Sequence, residues 1–301
     1  MDKVLVIEGP TAIGKSSFAI EVAKIFDGEI ISGDSVQVYR HFDIASGKVT
    51  KEEMQGIAHH LLDIRDYDEE YTINDFQKDV RYLIDDIKTR DKLPIIVGGS
   101  GLYLKSALYD YELKDEETKD EPYDELSNAE LYARLKEVDP LILKKIHINN
   151  RRRLLRAYNY YMKNGEPMSE AIARQRHELL YDALIIGLTT DRQELYKRID
   201  RRVDKMISDG AKEEVLDLIK MGCSFDDKPM CSIGYKEWKQ YIEGKKSEKE
   251  VIDDIKKATR NLAKRQYTWF THQTPIIWYD IKDTKHAIKK IEEWLDGQKI
   301  Y

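Results

Sequence analysis

Short apolar runs alternate with amphipathic stretches along most of this chain. Val4-Leu5-Val6-Ile7 has the unbroken apolar character of a strand buried on both faces. From Ser17 to Phe26 the apolar residues fall at Phe18, Ala19, Val22, Ala23 and Phe26, a helical period. Glu29-Ile30-Ile31-Ser32 predicts a second strand and Pro94-Ile95-Ile96-Val97 a third. Between them, Asn74 to Arg90 predicts an amphipathic helix, with Thr72 or Asn74 as its cap. Residues 42–71 are poorly periodic and carry turn signals at Gly47 and Gly56, so a long loop or short helices are expected there.

The second half is mostly helical. Asn128 to Arg176 reads as nearly continuous helix, broken near Asp139-Pro140 and Asn164-Gly165-Glu166-Pro167. Ala183 to Leu188 returns to an apolar strand. Helices are predicted over Arg192 to Ser208 and Lys212 to Lys220, then a loop through Ile233-Gly234-Tyr235. Ser247 to Phe270 predicts one long basic amphipathic helix or a helix pair, Pro275 to Trp278 a last strand, and Thr284 to Leu295 a closing helix. Alternating strands and helices imply an α/β fold with a mostly parallel sheet. The boundaries expected are a core of residues 1–113 and 182–301 and a helical insertion of residues 114–181.

Composition narrows the class. The 301 residues are 41% hydrophobic, ample for a core, and no apolar run nears the roughly 20 residues of a membrane span. Cys223 and Cys231 form no disulfide framework or metal-ligand set. A cytoplasmic protein without a targeting segment is expected, with a monomer as the default. The net charge of −6 argues against a polyanion partner, but its distribution argues the other way. Asp110 to Glu125 is strongly acidic and reads as a linker. Basic clusters follow: Lys144, Lys145, Arg151, Arg152, Arg153 and Arg156; Arg174 and Arg176; Lys197, Arg198, Arg201 and Arg202; Arg260, Lys264 and Arg265. One such cluster is ordinarily a solvated helix face; several in one half suggest a polyanion footprint.

Gly9-Pro10-Thr11-Ala12-Ile13-Gly14-Lys15-Ser16 fits G-x-x-x-x-G-K-[ST] between a strand and a helix. Such a loop turns backbone N–H groups and a helix N-terminus toward an anion, with Lys15 adding positive charge and the Ser16 hydroxyl reaching Mg²⁺. Alone it predicts a phosphate or diphosphate site, ATP being the ordinary occupant. Asp34 follows the second strand and is therefore placed beside the loop. The third strand ends in Gly98-Gly99-Ser100-Gly101, where phosphate-loop hydrolases commonly carry an acidic residue. The glycines allow close backbone approach, and Ser100 can donate to a ligand. His59-His60 suggests a metal, but a pair without a third ligand reads better as structural or loop-binding.

Taken together, the motifs resemble the tRNA dimethylallyltransferase (tRNA isopentenyltransferase) family. The phosphate loop is one; others are Ile31-Ser32-Gly33-Asp34-Ser35-Val36-Gln37-Val38-Tyr39-Arg40, His59-His60-Leu61-Leu62-Asp63 and Val97-Gly98-Gly99-Ser100-Gly101-Leu102-Tyr103. Asp139-Pro140, Ile146-His147, Ile233-Gly234-Tyr235-Lys236-Glu237 and Ala263-Lys264-Arg265-Gln266-Tyr267-Thr268-Trp269-Phe270 complete the series in the family's order. The departures are Ser100 for threonine, Gly33 for alanine, Ile44-Ala45-Ser46-Gly47-Lys48 for Ile-Gly-Thr-Ala-Lys, and a missing proline after His147. None removes a charged or nucleophilic group.

The resemblance implies a phosphate-loop core, dimethylallyl diphosphate as donor, Mg²⁺ as cofactor and the anticodon stem-loop of tRNA as acceptor. The group would go to the N6 amine of the adenosine beside the anticodon. Residues Gly9 to Ser16 and Arg202 would hold the departing diphosphate, with Thr11, Lys15 and Arg202 stabilising its growing charge. Asp34 would act as general base toward the amine. The adenine must be flipped out to be reached, with Ser35, Val36, Gln37 and Ser100 as its contacts. Arg152, Arg153 and Arg156, at i, i+1 and i+4 of one helix, suit stem phosphates. Lys236, Lys264, Arg265 and Gln266 would meet the loop, and Trp269 and Phe270 would either stack there or pack in the core. Two other classes share parts of the pattern: a small-molecule kinase of the shikimate or nucleoside type, and a non-catalytic RNA-binding protein. The basic C-terminal half and the glycine-ended third strand oppose the first; intact Lys15, Ser16 and Asp34 oppose the second.

Overall fold

The computed structural model describes residues 1–111, 123–175, 178–273 and 275–297. Most of the acidic stretch expected as a linker, and Arg176, lie outside them. The chain divides into two units, residues 1–109 with 179–301, and residues 110–178.

The larger unit is built on one six-stranded sheet in the order β3-β2-β4-β1-β5-β6. Its strands are β1 (Lys3–Glu8), β2 (Gly28–Gly33), β3 (His59–His60), β4 (Leu93–Gly98), β5 (Asp182–Thr189) and β6 (Ile277–Asp280). Every pairing is parallel. Val4, Leu5, Val6 and Ile7 are all fully buried, as are Ile31, Ile95, Ile96 and Ile186. Burial on both faces is what turns these strands into continuous apolar runs rather than alternating ones.

Helices α1 (Lys15–Ile25), α2 (Lys51–Met54), α3 (Ile73–Lys88) and α4 (Gly101–Leu108) precede the insertion. A capping box starts α3: the Thr72 hydroxyl accepts from the Asp75 N–H, and the Asp75 carboxylate accepts from the Thr72 N–H. Phe76, Val80, Ile84 and Ile87 form its buried stripe. Two differences from expectation fall here. Helix α4 has no predicted counterpart, and the aperiodic segment 42–71 contributes β3. That strand is two residues long, bonds to β2 at Ile30↔His59 and Ile31↔His60, and has no apolar signature to announce it.

In the smaller unit, α5 (Asn128–Val138), α6 (Arg151–Asn164) and α7 (Met168–Arg174) enclose Leu131, Leu135, Ile142, Ile146, Leu154 and Leu155. The break at Asp139 is a joint. Its buried carboxylate accepts from the Ile142 N–H at 3.1 Å, the Ser169 N–H at 2.9 Å and the Ser169 hydroxyl at 2.5 Å, tying the end of α5 to the start of α7.

The larger unit closes with α8 (Arg192–Ser208), α9 (Ala211–Lys220), α10 (Trp238–Ile242), α11 (Glu248–Gln273) and α12 (Thr284–Leu295). The long basic segment is one helix of 26 residues, not a pair. The last strand lies two residues later than the predicted 275–278, in register with Ile186 to Thr189. Among the described residues no helix is long and apolar enough to cross a membrane.

Candidate active site

The carboxyl ends of β2, β4 and β1, neighbours in the sheet, deliver Asp34, Gly99-Ser100 and the Gly9–Ser16 loop to one edge. Parallel sheets bind ligands at that edge, because loop backbone and helix N-termini converge there. The loop has the backbone of an anion cradle, with Gly9, Ala12 and Gly14 at φ of 145°, 63° and 106°. Pro10 and Ile13 are buried, while Gly14 and Ser16 are exposed, with Ser16 in the first turn of α1.

Lys15 folds back over its own loop, its Nζ donating to the carbonyls of Gly9 and Pro10, each at 2.9 Å. Burial, and then the nearby Arg202 guanidinium, push its ammonium down to about 7, against the pull of Asp34 and Glu8. Arg202 comes from α8 and reaches the Thr11 hydroxyl with Nη1 and the Gly47 carbonyl with Nη2, each at 3.4 Å. Its pKa is also lowered by burial, with Asp34 opposing. Two cations thus stand within mutual influence, their described hydrogen bonds ending on neutral oxygens. A multiply charged anion is the ligand that would relieve them.

Asp34 supplies the local negative charge. Its Oδ1 accepts from the Val36 N–H at 2.8 Å and the Gln37 N–H at 3.3 Å, an Asx-type turn that aims the carboxylate while leaving it half exposed. Ser35, Val36, Gln37 and Ser100 are half-buried around the same edge.

The IPP transferase family model matches residues 37–273. The chain belongs to this family. It is 44% identical over 303 residues to a tRNA dimethylallyltransferase of Anoxybacillus flavithermus, covering 99% of this chain and 97% of that one. It is 45% identical over 304 residues to that of Bacillus cytotoxicus, covering 99% and 96%. Among solved structures, a tRNA isopentenylpyrophosphate transferase of Staphylococcus epidermidis is 39% identical, with a TM-score of 0.75 and coverage of 99% and 100%. A eukaryotic dimethylallyltransferase crystallised acting on tRNA is 30% identical, with a TM-score of 0.90 and coverage of 100% of this chain and 81% of that one.

Within this IPP transferase, Gln266 takes a position that motif reading did not assign. Gln266 has its carbonyl accepting from the Thr11 N–H at 2.9 Å and its amide donating to the Gly99 carbonyl at 3.0 Å. It bridges the phosphate loop to the loop after β4, where a Cβ on Gly99 would stand 2.4 Å from its Nε2. Phe270 is fully buried and belongs to the core, and Trp269 packs its ring over Gly101. Lys264 and Arg265 are exposed on α11, on an open surface shared with Asn261, Thr268, Trp269 and His272. Lys236 is exposed too. In the smaller unit, Arg152, Arg153 and Arg156 are exposed on α6. His60 meets Glu29 at 2.7 Å and His59 meets the Ile57 carbonyl at 2.9 Å, structural duties for both.

Glu8 and Glu214 have no place in the motifs, and Gly47 and Tyr235 stand in motifs without a role assigned to them. Glu8 is a fully buried carboxylate at the end of β1 that acts on Lys15; its place directly before the glycine loop was the available signal. Gly47 stands where the family usually has alanine. A Cβ there would lie 1.8 Å from Arg202 Nη2, so the guanidinium occupies the space a side chain would take.

Proposed function

We propose that this protein transfers a dimethylallyl group from dimethylallyl diphosphate to the N6 amine of the adenosine next to the anticodon in tRNA, releasing diphosphate. The observation that carries the reading is the pair of half-buried cations, Lys15 and Arg202, facing the Asp34 carboxylate at one sheet edge. The family membership of the chain supports it.

The chemistry asks for this arrangement. The allylic C–O bond breaks with its electrons passing to the diphosphate, and the amine lone pair forms the new C–N bond. The amine proton then needs an acceptor. Adenine N6 is weakly nucleophilic because its lone pair is delocalised into the ring, so an oriented carboxylate helps by taking that proton as the bond forms. Asp34 fills this role. Lys15, Arg202, the Thr11 hydroxyl and the loop N–H groups meet charge that grows on the leaving group, which is where preorganised donors accelerate most. Ser35, Val36, Gln37 and Ser100 would hold the extruded base, and Arg152, Arg153, Arg156, Lys236, Lys264 and Arg265 the stem-loop phosphates.

Mg²⁺ fits this donor set. Among the described residues no three His, Cys, Asp or Glu side chains could hold a metal alone. Mg²⁺ suits a site with one or two protein ligands and substrate phosphate oxygens, and Ser16 is exposed where such a ligand belongs. Bound with diphosphate, the ion would neutralise part of the leaving group's charge.

The test is incubation with radiolabelled dimethylallyl diphosphate, Mg²⁺ and unmodified tRNA bearing adenosine after the anticodon. Label in the RNA is expected; label absent from it sinks the reading. Asp34→Ala should abolish transfer while leaving tRNA affinity largely intact, and a near-native rate would remove Asp34 as the base.

A further inference from the structure

The segment 43–47 follows no regular element, yet its four successive N–H groups at Asp43, Ile44, Ala45 and Ser46 are all engaged from one side. Glu214, on α9, takes three of them. Its Oε2 accepts from Asp43 at 3.0 Å and Ile44 at 2.6 Å, and its Oε1 accepts from Ala45 at 3.1 Å. Tyr235 completes the set. Its hydroxyl accepts from the Ser46 N–H at 3.1 Å and donates to Glu214 Oε1 at 2.8 Å. All the acceptor capacity of the carboxylate is used. The Tyr235 ring is fully buried and packs at a tilt against Phe42, centroids 5.0 Å apart, and Gly234 lies under Ala45.

The other side of the same segment faces the transfer site. The Gly47 carbonyl accepts from Arg202 Nη2 at 3.4 Å and from Gln37 Nε2 at 3.3 Å, and the Ser46 carbonyl also accepts from Gln37 at 3.4 Å. Arg202 and Glu214 sit on consecutive helices, α8 and α9, and grip the segment from opposite sides. We infer that Glu214 and Tyr235 are positioning residues of the transfer site, holding segment 43–47 so that the Gly47 carbonyl sets the Arg202 guanidinium over the phosphate loop. This rests on the transferase reading for the identity of the anion. Neither residue touches substrate; both act through Arg202. Burial and the neighbouring Glu214 raise the Tyr235 phenol well above its ordinary range, so it remains a donor at any working pH. The clamp is permanent, not a switch.

The experiment is a double-mutant cycle on the full chain, read by two assays. One is calorimetric affinity for inorganic diphosphate with Mg²⁺; the other is kcat/KM for dimethylallyl diphosphate at saturating tRNA. Glu214→Gln keeps the size but turns an amide N–H toward backbone donors. It should lower both quantities by about 10- to 100-fold, the cost of misplacing a site group by about an ångström. In an Arg202→Ala background the same change should cost much less, because the group it positions is gone. A loss as large in that background as in the parent overturns the inference, as does full activity and affinity in Glu214→Gln alone. Tyr235→Phe removes one hydroxyl and keeps the ring. It carries the same cycle if Glu214→Gln does not fold, with a smaller loss expected and the same coupling required. Diphosphate affinity separates this idea from the transferase reading: a parent protein that labels no RNA sinks that reading, and the cycle in diphosphate affinity still judges the clamp.

Discussion

Strand β2 begins beside a buried carboxylate and ends beside two half-buried cations, and the two ends are managed differently. At its start, Glu29 is buried and surrounded by partners. Arg90 forks onto it at 3.1 and 2.9 Å, His60 reaches it at 2.7 Å, and Lys92 stands at 3.6 Å. These contacts, Arg90 foremost, hold its carboxyl down to about 2. Past its other end, Lys15 and Arg202 are half-buried with neutral oxygens as hydrogen-bond partners, and both are pushed toward losing their protons. The first cluster is electrostatically complete and fastens edge strand β3 and α3 to the sheet. The second is incomplete in a way that one ligand class would complete. Burial of charge does not by itself mark function; the sign and direction of the resulting shift separate a staple from a site.

Substitution should split along the same line. Arg202→Ala is expected to cut transfer by about 10²- to 10³-fold, the usual cost of removing one preorganised donor from a developing anion. Its melting temperature should stay close to the parent's, since its described contacts are two long hydrogen bonds. Single-turnover transfer and thermal unfolding on the same preparation check both halves. Equal loss of rate and stability would show that Arg202 is a staple after all.

What motif reading found follows from how local each signal is. Val4 to Ile7, the glycine loop and the Arg192 to Ser208 helix are written in contiguous residues, and their placement agrees with expectation. Asp34 is legible because a parallel sheet puts every strand's carboxyl end at one edge. The clamp on segment 43–47 is not legible. Glu214 and Tyr235 lie about 170 and 190 residues from the backbone they hold, and a glutamate on an amphipathic helix looks like any solvated one. Gln266 is only partly legible for a related reason: it stands in a basic run that suggests RNA, and nothing local announces that its amide spans two loops of the site. Strand β3 has no signature in the sequence because two histidines carry no strand pattern; Glu29, 31 residues earlier, accounts for His60.

The staple makes a smaller, pH-resolved prediction. Glu29 is ordinarily 4.5 and falls to about 2 in the fold. A depressed carboxyl contributes stability that is fully present above its unfolded value and is lost as pH falls from about 4.5 toward 2. Because Arg90 is partly exposed, solvent screening holds the contribution to about 1–2 kcal/mol. Denaturant titrations at intervals from pH 6 to pH 2 should show Glu29→Gln less stable by this amount at pH 6 and converging with the parent at the acid end. A constant difference across the range would mean that packing, not charge, is what the glutamate supplies.

The incomplete cluster predicts a proton balance of opposite origin. Free Lys15 titrates near 7 instead of its ordinary 10.5. A bound diphosphate stabilises the ammonium and moves its pKa back up. At pH 8 the free side chain is mostly neutral, so binding must draw a proton from solution, and affinity must fall as pH rises above about 7. Calorimetry of inorganic diphosphate in two pH 8 buffers of different ionisation enthalpy measures that uptake directly. Diphosphate carries its own titrating oxygens, so the informative quantity is the difference between the parent and Lys15→Gln. That difference should approach one proton at pH 8 and shrink toward zero at pH 6, where Lys15 is already charged. Equal uptake by both proteins at pH 8 would mean that Lys15 is fully protonated before the ligand arrives. The loop would then differ from the Glu29 staple only in its partners, not in being poised for an anion.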